Sequence, residues 1–229
     1  MKTNSELRQE SLDFMKGNWK PAVVVTLVYL LVVYAGTFVA ALVGKGVGEP
    51  VGGAVQEILS LLVAILVIYP MTFSLVKLFL GFVRGEQQLH AGGVFSTFNT
   101  PYYGKSIGLY LLTMIFTFLW TLLLIVPGII KSLSYALAPY ILAENPDLTA
   151  SEAIEQSKSM MSGNRWRLFC LHVSFIGWEI LCSLTLGIGY LWLTPYKNAA
   201  TAAFYREVSG TELPVIQPPQ GGNTVWNDN

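Results

Sequence analysis

Charged residues are scarce in this chain, and their scarcity identifies the solvent in which it folds. Of the 229 residues, 12% are charged and 53% are hydrophobic, whereas soluble domains carry about 25% charged residues. This composition excludes a water-soluble enzyme or a highly charged binding module. The 14 basic and 14 acidic residues balance, so no net positive charge favours nucleic acid as a partner. We predict an all-α membrane protein whose first partners are membrane lipids.

Reactive groups are scarce as well. The two cysteines, Cys170 and Cys182, lie about 18 Å apart on one predicted helix, which is too far for a mutual disulfide. The sequence contains no HExxH pair, no cysteine and histidine cluster and no glycine-rich phosphate loop. We therefore predict no metal, no cofactor and no catalytic residue that a motif would identify.

Long apolar runs take the place of the missing charge. A helix rises about 1.5 Å per residue, so about 20 apolar residues cross a hydrocarbon core of about 30 Å. Within a membrane domain at residues 21–206 we predict six transmembrane helices in three hairpins, at residues 21–43, 55–82, 106–126, 128–143, 168–186 and 190–205. The first run exceeds a signal-peptide core and lacks a convincing cleavage site, so we expect it to be retained. The fourth is short, and either a full span or a re-entrant segment fits it.

Amphipathic segments precede the first and last hairpins. In residues 1–20, Thr3 and Glu6 have the spacing of a helix capping box, and Thr149 and Glu152 repeat it in residues 147–162. The separate polar and apolar sides of these segments predict helices that lie in the headgroup layer. Residues 207–229 are rich in proline and glycine and are predicted to be a disordered tail.

Lysine and arginine cluster on alternate connections between the predicted spans. The N-terminal segment and residues 84–105 and 147–167 carry most of them, whereas the opposite side has only Lys45 and Lys131. The positive-inside rule then predicts that both termini are cytoplasmic. The main alternative is one long final span over residues 168–196, which would leave Glu179 without a partner in a hairpin.

The sequence contains a weak internal repeat. Residues 15–20 (MKGNWK) resemble residues 161–167 (MSGNRWR), and proline adjoins tyrosine in each returning helix, at positions 69–70, 139–140 and 195–196. Two explanations remain open: three copies of one unit made of a surface helix and a hairpin, or the general use of glycine at helix ends and tryptophan at membrane interfaces. By analogy with transporters, a repeat favours a binding site between units.

Ionisable residues inside the last hairpin are the candidate binding residues. Glu179 and Lys197 both fall near the bilayer midplane, where an unpaired charge costs several kcal/mol, so we predict that they pair. His172 lies two helical turns before Glu179 on the same face, and Tyr196 adjoins Lys197. Lys131 is a competing partner for Glu179, although it lies near the outer end and can reach water. The pair is either structural or a proton-sensitive, gated site.

Several motifs carry a resemblance to a known family. They are LIVPGII at residues 124–130, APYILAENP at 138–146, SFIGW at 174–178, LTLGIG at 184–189, PY at 195–196 and AFY at 203–205. Over residues 7–208 the chain resembles the bacterial membrane family called domain of unknown function nine-seven-five. The resemblance implies a multi-pass protein of the bacterial plasma membrane, and it implies no activity and no catalytic residues.

Two classes of function fit these observations. The first is a non-enzymatic membrane protein that binds or moves a lipid-like or other amphiphilic molecule, or that serves as a membrane subunit of a transport or export system with other membrane-protein subunits as partners. The second is an intramembrane enzyme that uses Glu179 and His172. A cavity that reaches both residues would favour transport or catalysis, and a dry seam would favour a structural role.

Overall fold

The structure is a computed structural model that describes residues 2–210, and these residues form helices and connections without a strand. The α-helices are α1 (Asn4–Met15), α2 (Trp19–Val47), α3 (Gly52–Val63), α4 (Tyr69–Val83), α5 (Tyr102–Leu123), α6 (Ile125–Tyr135), α7 (Ala138–Glu144), α8 (Ala150–Met160), α9 (Arg165–Val173), α10 (Ile176–Leu184) and α11 (Tyr190–Ser209). A π-helical segment, Ala64–Ile68, joins α3 to α4, and a 3-10 helix, Ala91–Phe95, precedes α5. Of the predicted tail, residues 207–209 extend α11, and the prediction for residues 211–229 lies outside the described residues.

The predicted all-α, multi-pass fold is confirmed, and five of the six predicted spans correspond to helical stretches with the length and apolarity of a membrane-crossing helix. Within residues 2–210, five helical stretches are long and apolar enough to cross a membrane, namely Trp19–Val47, Gly52–Val83, Tyr102–Leu123, Ile125–Glu144 and Arg165–Leu184. The sixth predicted span is the 20-residue helix α11, which is too polar to belong to this set because it carries Lys197, Asn198, Arg206 and Glu207. Helix α11 packs against α1, α2, α4 and α10, so protein rather than lipid surrounds much of it.

The returning helices of the three hairpins form the centre of the bundle. Helix α4 packs against both α7 and α11, and two-thirds of α4 is buried. Helix α11 presents four buried alanines, Ala199, Ala200, Ala202 and Ala203, and small side chains of this kind let helices approach closely in a membrane. Tyr140 of α7 and Tyr205 of α11 stack with their ring centroids 5.3 Å apart. This contact joins α7 to α11, the remaining pair of returning helices.

The chain divides into three units, each with a surface segment followed by a hairpin. The first unit contains α1 to α4, the second the 3-10 helix and α5 to α7, and the third α8 to α11. The 3-10 helix packs on α2 and α4, helix α8 packs on α5, α6 and α7, and helix α1 packs on α9 and α11. Each surface segment therefore covers the hairpin before it, and α1 closes the ring by covering the last hairpin.

The surface helices α1 and α8 begin in the same way. The Thr3 hydroxyl accepts a hydrogen bond from the Glu6 backbone N–H, while the Glu6 carboxylate accepts one from the Thr3 N–H; Thr149 and Glu152 do the same for α8. Both predicted capping boxes are thus confirmed. Two hydrogen bonds lower the pKa of Glu6 and of Glu152 below the ordinary value of 4.5: the larger effect comes from the threonine backbone N–H and the smaller one from the threonine hydroxyl.

The two helices also end in the same way. Equivalent residues are 146 positions apart throughout, as Thr3 and Thr149 are. Gly17 and Gly163 adopt left-handed conformations, with φ of 79° and 83°, which glycine adopts without steric cost. The asparagine after each glycine donates from its side chain to the carbonyl four residues earlier. The same spacing relates five pairs of fully buried residues, Leu7 and Ala153, Ser11 and Ser157, Met15 and Met161, Ala22 and Leu168, and Val25 and Leu171. The predicted repeat is confirmed for the first and third units.

The joints between helices correct the predicted span boundaries. The second hairpin turns at Leu124, which is extended with φ of −160° and ψ of 139°, so Pro127 and Gly128 lie inside α6 rather than at the turn. The third hairpin turns at Leu186 and Gly187, which both have positive φ. A turn at this point excludes the alternative of one long final span.

The apolar side of α8, from which we predict a position in the headgroup layer, contacts protein in the structure. Ala153 and Ile154 are buried because α8 packs on α5, α6 and α7. Ser157, also buried, donates a hydrogen bond of 2.7 Å to the carbonyl of Ser134 on α6. The apolar side of this helix is therefore an attachment surface for the second hairpin.

A network of ion pairs joins the helix ends at the side of the bundle that carries the surface helices, which we call the surface-helix end. Arg84 after α4 pairs with Glu144 at the end of α7, and Glu144 also accepts a hydrogen bond of 2.7 Å from the Tyr205 hydroxyl. Arg206 of α11 pairs with Glu10 of α1. Arg84, one of the basic residues predicted to share one face of the membrane, thus lies at this end together with Arg206.

Candidate functional site

A groove of about 620 Å³ opens between α1 and the hairpin formed by α10 and α11, where the N-terminal helix closes the ring of units. Trp19, the first residue of α2, also lines it. The groove therefore lies at the junction of the first and third units, which is the kind of position that a repeat favours for a binding site.

Three helical faces build the groove, and each contributes residues spaced as i, i+3, i+4 and i+7. Residues with this spacing lie on one side of a helix. Helix α1 contributes Ser5, Arg8, Gln9 and Leu12; α10 with the residue that follows it contributes Trp178, Leu181, Cys182 and Thr185; and α11 with the preceding glycine contributes Gly189, Trp192, Leu193 and Tyr196. The lining is thus a regular product of helix packing.

Polar side chains concentrate on the wall formed by α1. Arg8 is half-buried, and its guanidinium has no ion-pair partner among residues 2–210. The acidic groups of α1 have other partners, since Glu10 pairs with Arg206 and Asp13 pairs with Lys16 at 2.6 Å. A fixed positive charge without a counter-charge therefore borders the groove at the surface-helix end.

The opposite wall is apolar and aromatic. Trp178, Leu181 and Trp192 line the groove while about half of each side chain remains exposed. Below them the hairpin is tightly closed, because a Cβ atom on Gly189 would lie 2.6 Å from Cys182 Sγ. The indole rings supply broad contact surfaces for apolar chains. This wall can bind an apolar group that enters from the membrane.

Tyr196 connects the two walls. Its hydroxyl donates a hydrogen bond of 3.4 Å to the backbone carbonyl of Arg8, and its ring meets Phe175 edge to face with centroids 5.0 Å apart. Among the five residues predicted from the sequence, Tyr196 is the one that lines the groove.

The predicted pair of Glu179 and Lys197 is confirmed as an ion pair between α10 and α11. Each side chain remains 36% exposed, and neither residue lines the groove. His172 lies on α9, one helix earlier, and does not line the groove either. The ion pair therefore lies on the hairpin, separate from the groove lining.

Lys131 lies elsewhere. Its ammonium stacks over the Trp120 ring, 4.5 Å from the ring centroid, on the second hairpin. The competing pairing of Lys131 with Glu179 is therefore wrong. The Lys131 ammonium is stabilised by this cation–π contact instead of by an ion pair with Glu179.

The sequence prediction missed Arg8, Trp178 and Trp192 as groove residues. A signal was available in α1, where Ser5, Arg8, Gln9 and Leu12 form a second stripe beside the buried stripe of Leu7, Ser11 and Met15. The tryptophans carried no such signal, because an aromatic residue in a membrane span is most simply explained by lipid contact.

Comparison with known proteins adds a family and no activity. A sequence model described as a protein of unknown function (DUF975) matches residues 1–134 and 122–212, which together cover most of the chain and confirm the resemblance seen in its motifs. No curated protein and no solved structure matches the chain.

Proposed function

We propose that this chain, which belongs to the DUF975 family of proteins of unknown function, is a non-enzymatic membrane protein. It binds one amphiphilic, lipid-like molecule. The binding site is the groove between α1 and the α10–α11 hairpin. One observation carries this proposal: the groove joins a polar wall on α1 to an aromatic, apolar wall on the hairpin, which is the polarity of an amphiphile.

The size and position of the groove support this function. Its volume of about 620 Å³ falls within the range of about 300–1,000 Å³ that is usual for small-molecule sites. The polar wall belongs to a surface helix, and the apolar wall belongs to a membrane hairpin. A lipid-like molecule can therefore place its headgroup at the membrane surface and its chain beside Trp178 and Trp192.

The distribution of positive charge supports an orientation. The N-terminal helix and the end of α11 meet at the surface-helix end, together with Arg84 and Arg167. Under the positive-inside rule this end faces the cytoplasm. We therefore assign the site to the cytoplasmic leaflet of the bacterial plasma membrane, with both termini in the cytoplasm.

The geometry gives less support to an intramembrane enzyme. Glu179 is engaged in an ion pair with Lys197, and within the described chain neither Glu179 nor His172 borders the groove. We assign the pair to the assembly of the hairpin and retain Tyr196 in the binding site.

Native mass spectrometry of the detergent-solubilised protein tests this function. With added diacyl phospholipid, the wild-type protein should retain one lipid, whereas the double variant Leu12→Trp/Leu181→Trp should lose it because indoles fill the groove from both walls. Leu184→Trp is the matched control, since Leu184 lies on α10, is exposed and does not line the groove. Equal lipid retention by all three proteins would contradict the proposal, provided that their melting temperatures agree.

A further inference from the structure

We infer that the molecule bound in the groove carries a negatively charged headgroup, and that Arg8 binds it. This inference rests on the proposed function and specifies the chemical class of the ligand. It rests on two observations. The Arg8 guanidinium has no ion-pair partner within residues 2–210, and no acidic residue is among the described residues that line the groove.

Arg8 differs from the arginines near it. Arg167 pairs with Glu207 at 3.0 Å, and Arg206 pairs with Glu10, so these guanidinium groups stabilise the contact between helices. Arg8 has no carboxylate within ion-pair distance in residues 2–210 and faces the groove. Its charge is thus available to a ligand.

The neighbours of Arg8 suit an anionic headgroup that has several oxygen atoms. A guanidinium presents five N–H donors in a planar fork, which matches the oxygens of a phosphate or carboxylate. Ser5 and Gln9 lie on the same face of α1 and line the groove beside Arg8, adding a hydroxyl and an amide as further donors. A cationic headgroup would meet like charge here, and no carboxylate is among the described residues that line the groove.

The arrangement also explains why the anion should belong to an amphiphile rather than to a small soluble molecule. Arg8 lies on the wall of α1, and the groove continues along the exposed faces of Trp178, Leu181 and Trp192. A free phosphate ester would leave these apolar surfaces uncovered. A lipid whose headgroup lies at Arg8 places its acyl chain along them, in the apolar part of the membrane hairpin.

Competition between two lipids with identical acyl chains tests the inference. Native mass spectrometry should give about a tenfold preference of the wild-type protein for phosphatidylglycerol over phosphatidylcholine, because the choline cation of phosphatidylcholine offsets the phosphate charge and repels the Arg8 guanidinium. Arg8→Gln should reduce this ratio to about one, and Arg8→Lys should retain part of it. The control Lys20→Gln removes an exposed charge near the start of α2 that does not line the groove, and it should keep the wild-type ratio.

A second measurement does not depend on the folding of a variant. The wild-type preference for phosphatidylglycerol should fall as the salt concentration rises, because a partly exposed ion pair is screened. Glycerol 1-phosphate, the headgroup chemistry without a chain, should not displace the lipid at equal concentration. Displacement by this soluble phosphate would overturn the assignment to an amphiphile.

The outcomes separate the inference from the proposed function. If the wild-type protein binds both lipids equally and the groove-filling double variant loses both, the charge preference is wrong and the groove still binds amphiphiles. If Arg8→Gln keeps the wild-type ratio, Arg8 is not the headgroup ligand. If the wild-type protein retains neither lipid, the proposed function fails as well.

Discussion

The two ends of the helical bundle are held together by different interactions. At the surface-helix end, α4, α7 and α11 pack together; one ion pair links the ends of α4 and α7, and two others link α11 to α1 and α9. At the opposite end, where the hairpins turn, apolar side chains stand free of the protein: Leu122 is 74% exposed and Leu186 is 94% exposed. The comparison shows that one end is stabilised by protein contacts and that the other depends on lipid as its solvent.

Each hairpin turn nevertheless closes on itself. A Cβ atom on Gly52 would lie 2.2 Å from the Gly44 carbonyl oxygen, and a Cβ atom on Gly128 would lie 2.2 Å from Thr121 Oγ1. These distances are far below van der Waals contact, so glycine allows the two helices of a hairpin to touch near the turn. The hairpins are therefore locally closed at the end where their outer surfaces are exposed. The groove begins at the packed end and extends toward the exposed one.

Breaking the network at the packed end should have the largest effect on stability. Glu144→Gln removes the nearer carboxylate of Arg84, whose side chain is 12% exposed and whose other partner, the exposed Glu86, lies 4.0 Å away. Removing one partner of a buried pair costs about 3 kcal/mol. Unfolding of the purified protein in detergent should show this loss. Glu155→Gln breaks an exposed pair with Lys158 and should change stability by less than about 0.5 kcal/mol. Equal losses in the two variants would refute the assignment of stability to this network.

The ion pair inside the third hairpin should give the next largest effect. Glu179→Gln and Lys197→Met should each destabilise the protein by about 2 kcal/mol, because each leaves the other charge unpaired within the membrane. The double variant should recover most of that loss, and a double-mutant cycle measures the recovery as a coupling energy. Additive losses would mean that the two charges do not stabilise one another.

A methyl group at a hairpin turn should have a smaller effect. Gly52→Ala places its Cβ against the backbone of α2 and should cost about 1–2 kcal/mol by forcing the helices apart. Gly46→Ala is the matched control, since Gly46 lies near the end of α2 with no atom within 4 Å of the added Cβ. This control should be neutral or slightly stabilising, because alanine favours a helix. Loss of stability in both variants would point to helix propensity or flexibility rather than close approach.

The smallest effect concerns pH at the first turn of α1. Because Glu6 has a pKa below 4.5 in the folded protein, its cap contributes fully above the unfolded value and is lost as pH falls through the lowered folded value. Hydrogen exchange at the amides of Thr3 and Glu6 should therefore speed up, relative to intrinsic rates, when pH falls below about 4. Glu6→Gln keeps a hydrogen-bond acceptor without a titrating group and should remove the pH dependence.

Much of the fold could be predicted because the bilayer restricts it. Long apolar runs must become helices there, since every backbone N–H and carbonyl has to be satisfied internally. The same restriction predicted the ion pair of Glu179 and Lys197, because neither charge is tolerated alone at that depth. The capping boxes of α1 and α8 were predictable for a different reason, as each depends on residues three positions apart.

The surface that the apolar side of each surface helix contacts could not be predicted in this way. The apolar sides of α1 and α8 suit a membrane surface and a protein surface equally well, and hydrophobic burial has no direction. In the structure, Ile154 is buried within the protein. Hydrophobic pattern alone could not distinguish these environments, because both remove the same apolar area from water.

The sequence by itself determined the solvent of this protein, its three hairpins, its helix caps and the ion pair inside its third hairpin, since each follows from local spacing or from the cost of charge in lipid. Only the tertiary structure decided that α1 packs on α11, and this contact creates the groove. Arg8 and Trp192 lie at opposite ends of the chain, and no periodicity within either helix specifies that their faces meet. The site exists because the first unit closes against the third.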